Sequence, residues 1–317
     1  MKAELHDIQQ IGFVLIPGFA LMSYASATEP LRAANLLASR ELYRLAAFSP
    51  DGQGAMSSAG VMVPAGPLPR RADGLHTVFV CAGGDPGQWH YPAVLDCLRL
   101  LARQGVRIGG ISGGPFLLAS AGLLGGRRFT IHWEHAPALM EAFPDLAPER
   151  ARYVVDGTRI TCGGGIAPLD MMHALIGQRM GADFAHRVSD WYLHTHVDTP
   201  GAPQRASLAE RYGVHHPALL AVIENMEATI EAPLTRGAMA LIAGVSPRHL
   251  DRLFAAHLRT TFLAAYRQMR LDHARRLLRQ SPLSVSEIAF ATGFSSAGHL
   301  ARSYRSRFGR SPRTERE

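Results

Sequence analysis

Residues Gly110-Ile111-Ser112-Gly113-Gly114 match G-x-S-x-G, the pattern of a sharp strand-to-helix turn that presents a serine hydroxyl for nucleophilic attack. A serine needs a base to take its proton, and in such hydrolases the acid and the histidine follow the serine along the chain. His173, His186 and His194 do follow. None stands in a recognisable triad motif, and an isolated histidine is more often structural than catalytic. The same turn has a second use. Consecutive glycines let backbone N–H groups approach a ligand closely, and the helix start behind them favours an anion. Ser112, Gly113 and Gly114, with Gly83 and Gly84 of a second turn, "CAGGDP" (81–86), would then hold a carboxylate. Metal chemistry has no support in the spacing: neither C-x-x-C nor H-x-x-x-H occurs. The three cysteines, Cys81, Cys97 and Cys162, are expected as reduced thiols in a cytoplasm.

A different chemistry is written near the C-terminus. Residues 232–317 hold 15 arginines and 5 acidic residues, a net of +10, while residues 1–231 carry 18 basic and 21 acidic residues, a net of −3. A basic unit on a nearly neutral body points to nucleic acid. Two segments of that unit share one design. In 235–258 a short helix ends near Ala243-Gly244, and Ser246 caps a second helix with Pro247 at its first position. In 284–309 Ser284 and Glu287 form a capping box, Gly293 ends the short helix, and Ser295 or Ser296 starts the next. Helix, glycine turn and capped helix, twice over, read as two helix-turn-helix motifs, with the basic helix 262–280 holding them at a fixed spacing. Leu250, Leu253, Phe254, Leu300, Tyr304 and Phe308 fall on the core side. Arg248, Asp251 and Arg252 from the first motif, with Ala297, Gly298, His299, Arg302 and Arg305 from the second, fall on the side expected to meet DNA.

Positioning these groups takes two kinds of domain. The first 195 residues alternate strands (11–18, 42–49, 77–84, 106–111) with helices (21–38, 91–105, 115–124, 167–181, 183–195), and 153–165 reads as a hairpin with Asp-Gly in its turn. Pro30 is expected to bend or divide the first helix. Such alternation implies a doubly wound parallel sheet, whose ligands sit beyond the carboxyl ends of the strands. Both Gly-rich turns fall at such ends. Segment 199–217, rich in Pro, Gly and polar residues, reads as a linker between an α/β domain (1–198) and an all-α domain (218–317). The opening residues "MKAELHDIQQ" are polar, and no apolar run is long enough to span a bilayer. The apolar face of 181–196 packs on its own sheet or forms a subunit interface, and a dimer would suit repeated DNA half-sites.

These residues carry a resemblance. "GVSPRHLDRLFAAHL" through "GFSSAGHLARSYRSRFGRSP" is similar to the AraC/XylS-type DNA-binding domain, departing from its commonest pattern only at His299 and Tyr304. "FVLIPGF", "VFVCAGGD", "GGISGGPFLLASAGLL" and "ITCGGGIAPLDMM" resemble PfpI-like, flavodoxin-like members of the class I glutamine-amidotransferase superfamily. The two together resemble the GlxA-type transcription regulators, and "ATEPLRAANLL" (27–37) with "TIHWE" (130–134) resemble the branch that responds to carnitine, glycine betaine or related amines.

The resemblance implies a cytoplasmic, nucleoid-associated regulator, an activator that acts as a homodimer on double-stranded DNA and with RNA polymerase. It implies no cofactor and no enzyme activity. Enzymes of the superfamily place a cysteine at the elbow, usually followed by histidine, where this chain has Ser112 and Gly113. The assisting acid would fall near Ser23. The implied effector is a small zwitterion or amine, a quaternary ammonium or amino-acid-like compound, held at the former active site. Its cation would seek aromatic faces and a carboxylate: Trp133, Tyr24, Phe116 and Trp89, with Glu29 and Glu134. Against this stand core roles for Phe116 and Trp133, and a pairing of Glu29 with Arg32. A hydrolase using Ser112, and a regulator governed by a protein partner with no small ligand, remain the alternatives.

Overall fold

The computed structural model describes residues 7–281 and 283–316; the polar opening residues 1–6, Pro282 and Glu317 lie outside the described residues. The chain divides into two compact units, Met1–Gln204 and Arg205–Glu317.

In the first unit the elements run β1 (Gln9–Leu15), α1 (Leu21–Ala38), β2 (Tyr43–Phe48), β3 (Ala55–Met56), β4 (Met62–Val63), β5 (Leu75–Ala82), α2 (Pro92–Arg103), β6 (Arg107–Ser112), α3 (Gly114–Ser120), α4 (Ala136–Ala142), β7 (Tyr153–Asp156), β8 (Arg159–Cys162), α5 (Ala167–Met180) and α6 (Ala182–Trp191). The main sheet has the order β2-β1-β5-β6-β8-β7. Every pairing is parallel except the terminal hairpin β7–β8. Side chains alternate across it with the period of two that a strand imposes. Ile11, Phe13 and Leu15 of β1 join Phe79 and Cys81 of β5 in a core under α1, α5 and α6. Val14 joins Val78 and Val80 in a second core under α2, α3 and α4. Helices therefore cover both faces, as the doubly wound reading requires. Strands β1 and β5 lie side by side where the winding reverses. The loops beyond their carboxyl ends, with the end of β6, form the crevice such sheets use for ligands.

Pro30 does not divide α1: the helix runs unbroken from Leu21 to Ala38 with Pro30 inside it. The small β3–β4 sheet and α4 have too few residues to leave a periodic trace, and the sequence reading passed over them.

The second unit is all helix: α7 (Leu208–Tyr212), α8 (Pro217–Ala228), α9 (Arg236–Ile242), α10 (Pro247–Leu258), α11 (Phe262–Gln280), α12 (Val285–Ala291), α13 (Ala297–Phe308) and α14 (Pro312–Arg316). One core gathers α8, α9, α10 and the start of α11, with Leu250, Phe254, Phe262 and Tyr266 at its centre. A second gathers the rest of α11 with α12 and α13, around Leu277, Ile288, Leu300 and Tyr304. Helix α11 thus belongs to both cores and fixes the two motifs on one rod, about 28 Å long at 1.5 Å per residue.

Segment 199–217 differs from a plain linker. Gln204 is held by the first unit, while α7 has a capping box from Ser207 and Glu210, and Val214 is buried in the second unit. The Ser-x-x-Glu capping signature was present in the sequence, hidden among residues whose composition suggested a coil.

Candidate functional site

Strand β6 ends at Ser112, whose φ is +59°. A non-glycine residue in that region carries strain of about 1–2 kcal/mol, and such strain concentrates at functional sites. The elbow geometry predicted from G-x-S-x-G is therefore present. Ser112 is buried, and its hydroxyl makes no hydrogen bond to any described residue. Opposite it, a Cβ on Gly164 would lie 2.6 Å from the Ser112 Cβ, so the loop after β8 closes against the elbow. The next amide in that loop, Gly165 N–H, donates to Ser23 Oγ at 2.8 Å. Ser23 thus stands at the first turn of α1 with its hydroxyl proton uncommitted by that bond.

The glycines of the elbow serve packing. A Cβ on Gly113 would lie 2.1 Å from the Trp89 ring, and one on Gly114 would lie 2.0 Å from the Val80 carbonyl. The Gly113 N–H already donates to Ala82 O at 2.9 Å. It is therefore not free to hold a carboxylate, contrary to the expectation from sequence. Gly83 lies against the backbone of Gly18 and Ala20, and its carbonyl accepts from Trp89 Nε1 at 3.2 Å. Only Gly84, with φ +83°, has open space beside its Cα.

Trp89 is buried on Gly113 and meets Phe116 and His135 edge-on, at centroid distances of 5.6 and 5.2 Å. Phe116 in turn packs on Phe143. Residues 130–134 form a strap beside the elbow. His132 N–H donates to Ser112 O at 3.2 Å, and the His132 and Trp133 rings lie 5.4 Å apart. Burial lowers the pKa of His132 and outweighs the pull of the nearby Glu134 carboxylate. The imidazole is thus neutral near pH 7. Its Nδ1 accepts from the Glu134 N–H at 3.3 Å, which leaves the proton on Nε2. Tyr24 packs edge-on against Phe13 and Phe19, and burial raises its pKa.

Ser112, Ser23, His132, Trp133, Glu134, Trp89, Phe116 and Tyr24 are therefore brought to the carboxyl end of the sheet. Glu29 is not among them. It lies two turns further along α1, 2.7 Å from Arg32 and 3.2 Å from the Tyr192 hydroxyl. That ion pair is the bland alternative for Glu29. The sequence reading missed His132, His135 and the Gly164-Gly165 loop; "TIHWE" (130–134) contained His132, with His135 just beyond it, but no spacing tied either to Ser112. The downstream histidines are engaged elsewhere. His173 lies 2.8 Å from Ser189 Oγ with His186 beside it, and His194 lies 2.9 Å from Asp170. The three cysteines are free and buried.

In the second unit both motifs carry the caps read from sequence. Ser246 accepts from His249 N–H, Ser296 from His299 N–H, and Ser284 with Glu287 closes a capping box. Arg248, Arg252, Gly298, Arg302 and Arg305 are exposed, whereas Asp251, Ala297 and His299 are half-buried. Asp251 is paired with Arg236 of α9 at 2.8 Å, and His299 Nδ1 lies 3.1 Å from Ser295 Oγ. Gly298, Arg302 and Arg305 recur at i, i+4 and i+7, which sets them along one stripe of α13.

Comparison with known proteins agrees with both halves. The DJ-1/PfpI family model matches residues 12–178, and a helix-turn-helix domain model matches residues 239–317. The chain is 60% identical to the HTH-type transcriptional regulator GlxA of Rhizobium meliloti, over 98% of this chain and 96% of that protein. The chain belongs to the GlxA-type transcription regulators. It is also 42% identical to the HTH-type transcriptional regulator CdhR of Pseudomonas aeruginosa, over 97% of this chain and 91% of that one. The crystal structure of an AraC family transcriptional regulator from Pseudomonas putida superposes with a TM-score of 0.54 at 25% identity, covering 58% of this chain and 99% of that one. A GlxA-type protein is a DNA-binding regulator and not an enzyme.

Proposed function

We propose that this regulator binds a small zwitterion or amine at the Ser112 elbow and that occupancy changes its affinity for DNA. The observation that carries the reading is Ser112 itself. The chain retains a strained, buried elbow whose hydroxyl has no hydrogen-bond partner, basic or otherwise, among the described residues. Strain kept without catalytic groups is accounted for by binding. Ser112 and Ser23 offer hydroxyl donors to a carboxylate. Trp133 and Tyr24 offer aromatic faces to a cation, with Glu134 as its counter-charge and Phe116 and Trp89 as the apolar wall. Glycine betaine and carnitine have this chemistry.

On the DNA side, α10 and α13 enter successive major grooves, with Arg248, Arg252, Arg302 and Arg305 as the principal contacts. Ala297, Gly298 and His299 sit at the groove-facing start of α13, and Asp251 acts from α10. The chain works in the cytoplasm as a homodimer and activates transcription through RNA polymerase.

Fluorescence polarisation with the full chain and operator DNA tests the reading, with glycine betaine, carnitine, choline and arginine added in turn. One of the four is expected to change DNA affinity at least fivefold, and Ser112→Ala should weaken that ligand about tenfold. DNA affinity indifferent to all four would remove this ligand class and favour control by a protein partner.

A further inference from the structure

Gln204 is the last residue of the first unit. It is half-buried between exposed Pro203 and Arg205, in a stretch where a polar side chain would ordinarily face water. Its amide instead enters the 130–134 strap. Oε1 accepts from Trp133 N–H at 2.8 Å. Nε2 faces Thr130 Oγ1 at 3.0 Å, Ile131 O at 2.9 Å and Ala151 O at 2.6 Å, two hydrogens shared among three acceptors. A flipped amide would turn its oxygen on three oxygens, so the network fixes the orientation. The amide lies against Gly163, where a Cβ would come within 2.6 Å of it.

The strap is also held at Thr130 and at His132. Thr130 N–H donates to Thr161 Oγ1 at 2.9 Å and its hydroxyl lies 2.8 Å from both Glu149 O and Ala151 O, while His132 N–H donates to Ser112 O at 3.2 Å. Gln204 therefore touches Trp133, the neighbour of His132, whose N–H donates to Ser112 O of the elbow. The chain leading to Gln204 is anchored step by step. His194 and the Asp198 N–H meet buried Asp170 at 2.9 and 3.0 Å, Arg152 bridges Asp170 and Asp198, and Pro200 O accepts from Arg152 N–H at 3.0 Å. After Gln204 the chain passes to the DNA-binding unit.

We propose that Gln204 is a positioning residue of the effector site, holding the 130–134 strap against Ser112 and tying its position to the segment that leads to the DNA-binding unit. The coupling role rests on the effector reading above; the positioning role does not. A ligand seated on Ser112, Trp133 and Glu134 moves the strap, and Gln204 carries that movement to the tether. An ordinary packing residue would not need a side chain that matches one donor and three acceptors. Apolar burial would fill the space over Gly163 as well.

The test uses the full chain with Gln204→Glu, which keeps the shape and sets a carboxylate against three oxygens. The first readout needs no ligand: amide hydrogen exchange resolved at His132 and Trp133. Both amides should exchange at least tenfold faster, while amides of the β5 core keep the parent rate. The second readout is the ratio of DNA affinities with and without glycine betaine, carnitine, choline or arginine. That ratio should fall toward one even where calorimetry still detects ligand binding. Parent-like exchange at His132 and a parent-like ratio would overturn the proposal. Should the parent respond to none of the four, the effector reading and the coupling fail, and the His132 exchange still decides the positioning role. Gln204→Ser, which introduces no buried charge, carries the same comparison if the glutamate variant does not fold.

Discussion

In α9–α10 three polar side chains of the second helix are matched with each other or with the first helix: Asp251 with Arg236 at 2.8 Å, and Arg252 with His249 at 2.8 Å. Counted from the caps Thr235, Ser246, Ser284 and Ser296, the same positions in α12–α13 are Val285 for Arg236, Ala301 for Asp251 and Arg302 for Arg252. The second motif folds on equivalent caps and the same core spacing without either pairing. They are thus no requirement of the motif, as expected for exposed pairs worth at most about 1 kcal/mol. The turns differ in the opposite sense. Gly244 has open space around it. Gly293 is pressed against Ile230 and Pro233, and Arg270 donates to the carbonyls of Thr292 and Gly293 while stacking 4.3 Å from the Phe294 ring. One motif pairs Asp251 and Arg252 on its recognition face and is loose at its turn; the other is tied at its turn, and among the described residues its Arg302 and Arg305 form no ion pair.

The largest test of that contrast is a pair of alanines. Both glycines have positive φ, +65° at Gly244 and +70° at Gly293, so each substitution costs about 1 kcal/mol for the backbone alone. At Gly293 the new Cβ would also lie 2.6 Å from Ile230 O and from Pro233. Gly293→Ala should cost about 3 kcal/mol or more and Gly244→Ala about 1, compared by denaturant unfolding. Equal losses would mean that the second turn is no more constrained than the first.

Acid should act next, on α11, the helix that both motifs share. Burial, with Arg276 beside it, takes His273 from 6.5 down to about 4. The unfolded chain therefore binds a proton between pH 6.5 and 4 that the folded chain refuses, and stability falls as the pH drops through that window, by at most about 3 kcal/mol. Glu315 adds to the loss at lower pH. Burial opposes its charge, but Arg275 and Arg279 outweigh it and hold its carboxyl below the usual range. Its contribution is present above the unfolded carboxylate value and disappears as the pH falls through the folded one. Denaturant unfolding followed from pH 7 to pH 4 should show this fall, and His273→Gln should flatten the profile.

The smallest effect is the most specific. Among the described residues Arg302 and Arg305 form no ion pair, so they are available to DNA, whereas Arg252 shares its guanidinium with His249. Arg302→Ala and Arg305→Ala should each cost about 1 kcal/mol of DNA affinity and lower the slope of log K against log salt by about one. Arg252→Ala should cost less. A larger loss at Arg252 would reverse the assignment of the two faces.

The DNA-binding unit was legible because its information is local. Ser246-Pro247, the Ser284–Glu287 box and the two turn glycines fix helix ends within a few residues of themselves. The doubly wound sheet was legible for a related reason: buried strands such as "VFVCA" declare themselves by composition. The effector site was only partly legible. G-x-S-x-G located the elbow, because a motif that specifies a backbone turn is also local. His132 and Gln204 reach the elbow through contacts spanning 20 to 74 residues, for which a single sequence has no spacing rule. Gly113 was expected to offer its N–H to a ligand and instead donates it to Ala82 O with the Trp89 ring packed over it, since a glycine that admits a ligand and one that admits a packed ring look alike in sequence. Glu29 was weighed for the site and lies with Arg32 because the turn of α1 it occupies points elsewhere.

The central claim is that the elbow is a binding site. Isothermal titration of the full chain with glycine betaine, carnitine, choline and arginine tests it most directly. Saturable one-to-one binding of one of them, abolished by Trp133→Ala in a protein that still binds DNA, is the predicted result. No heat of binding from any of the four, with the chain folded and DNA-competent, would contradict it.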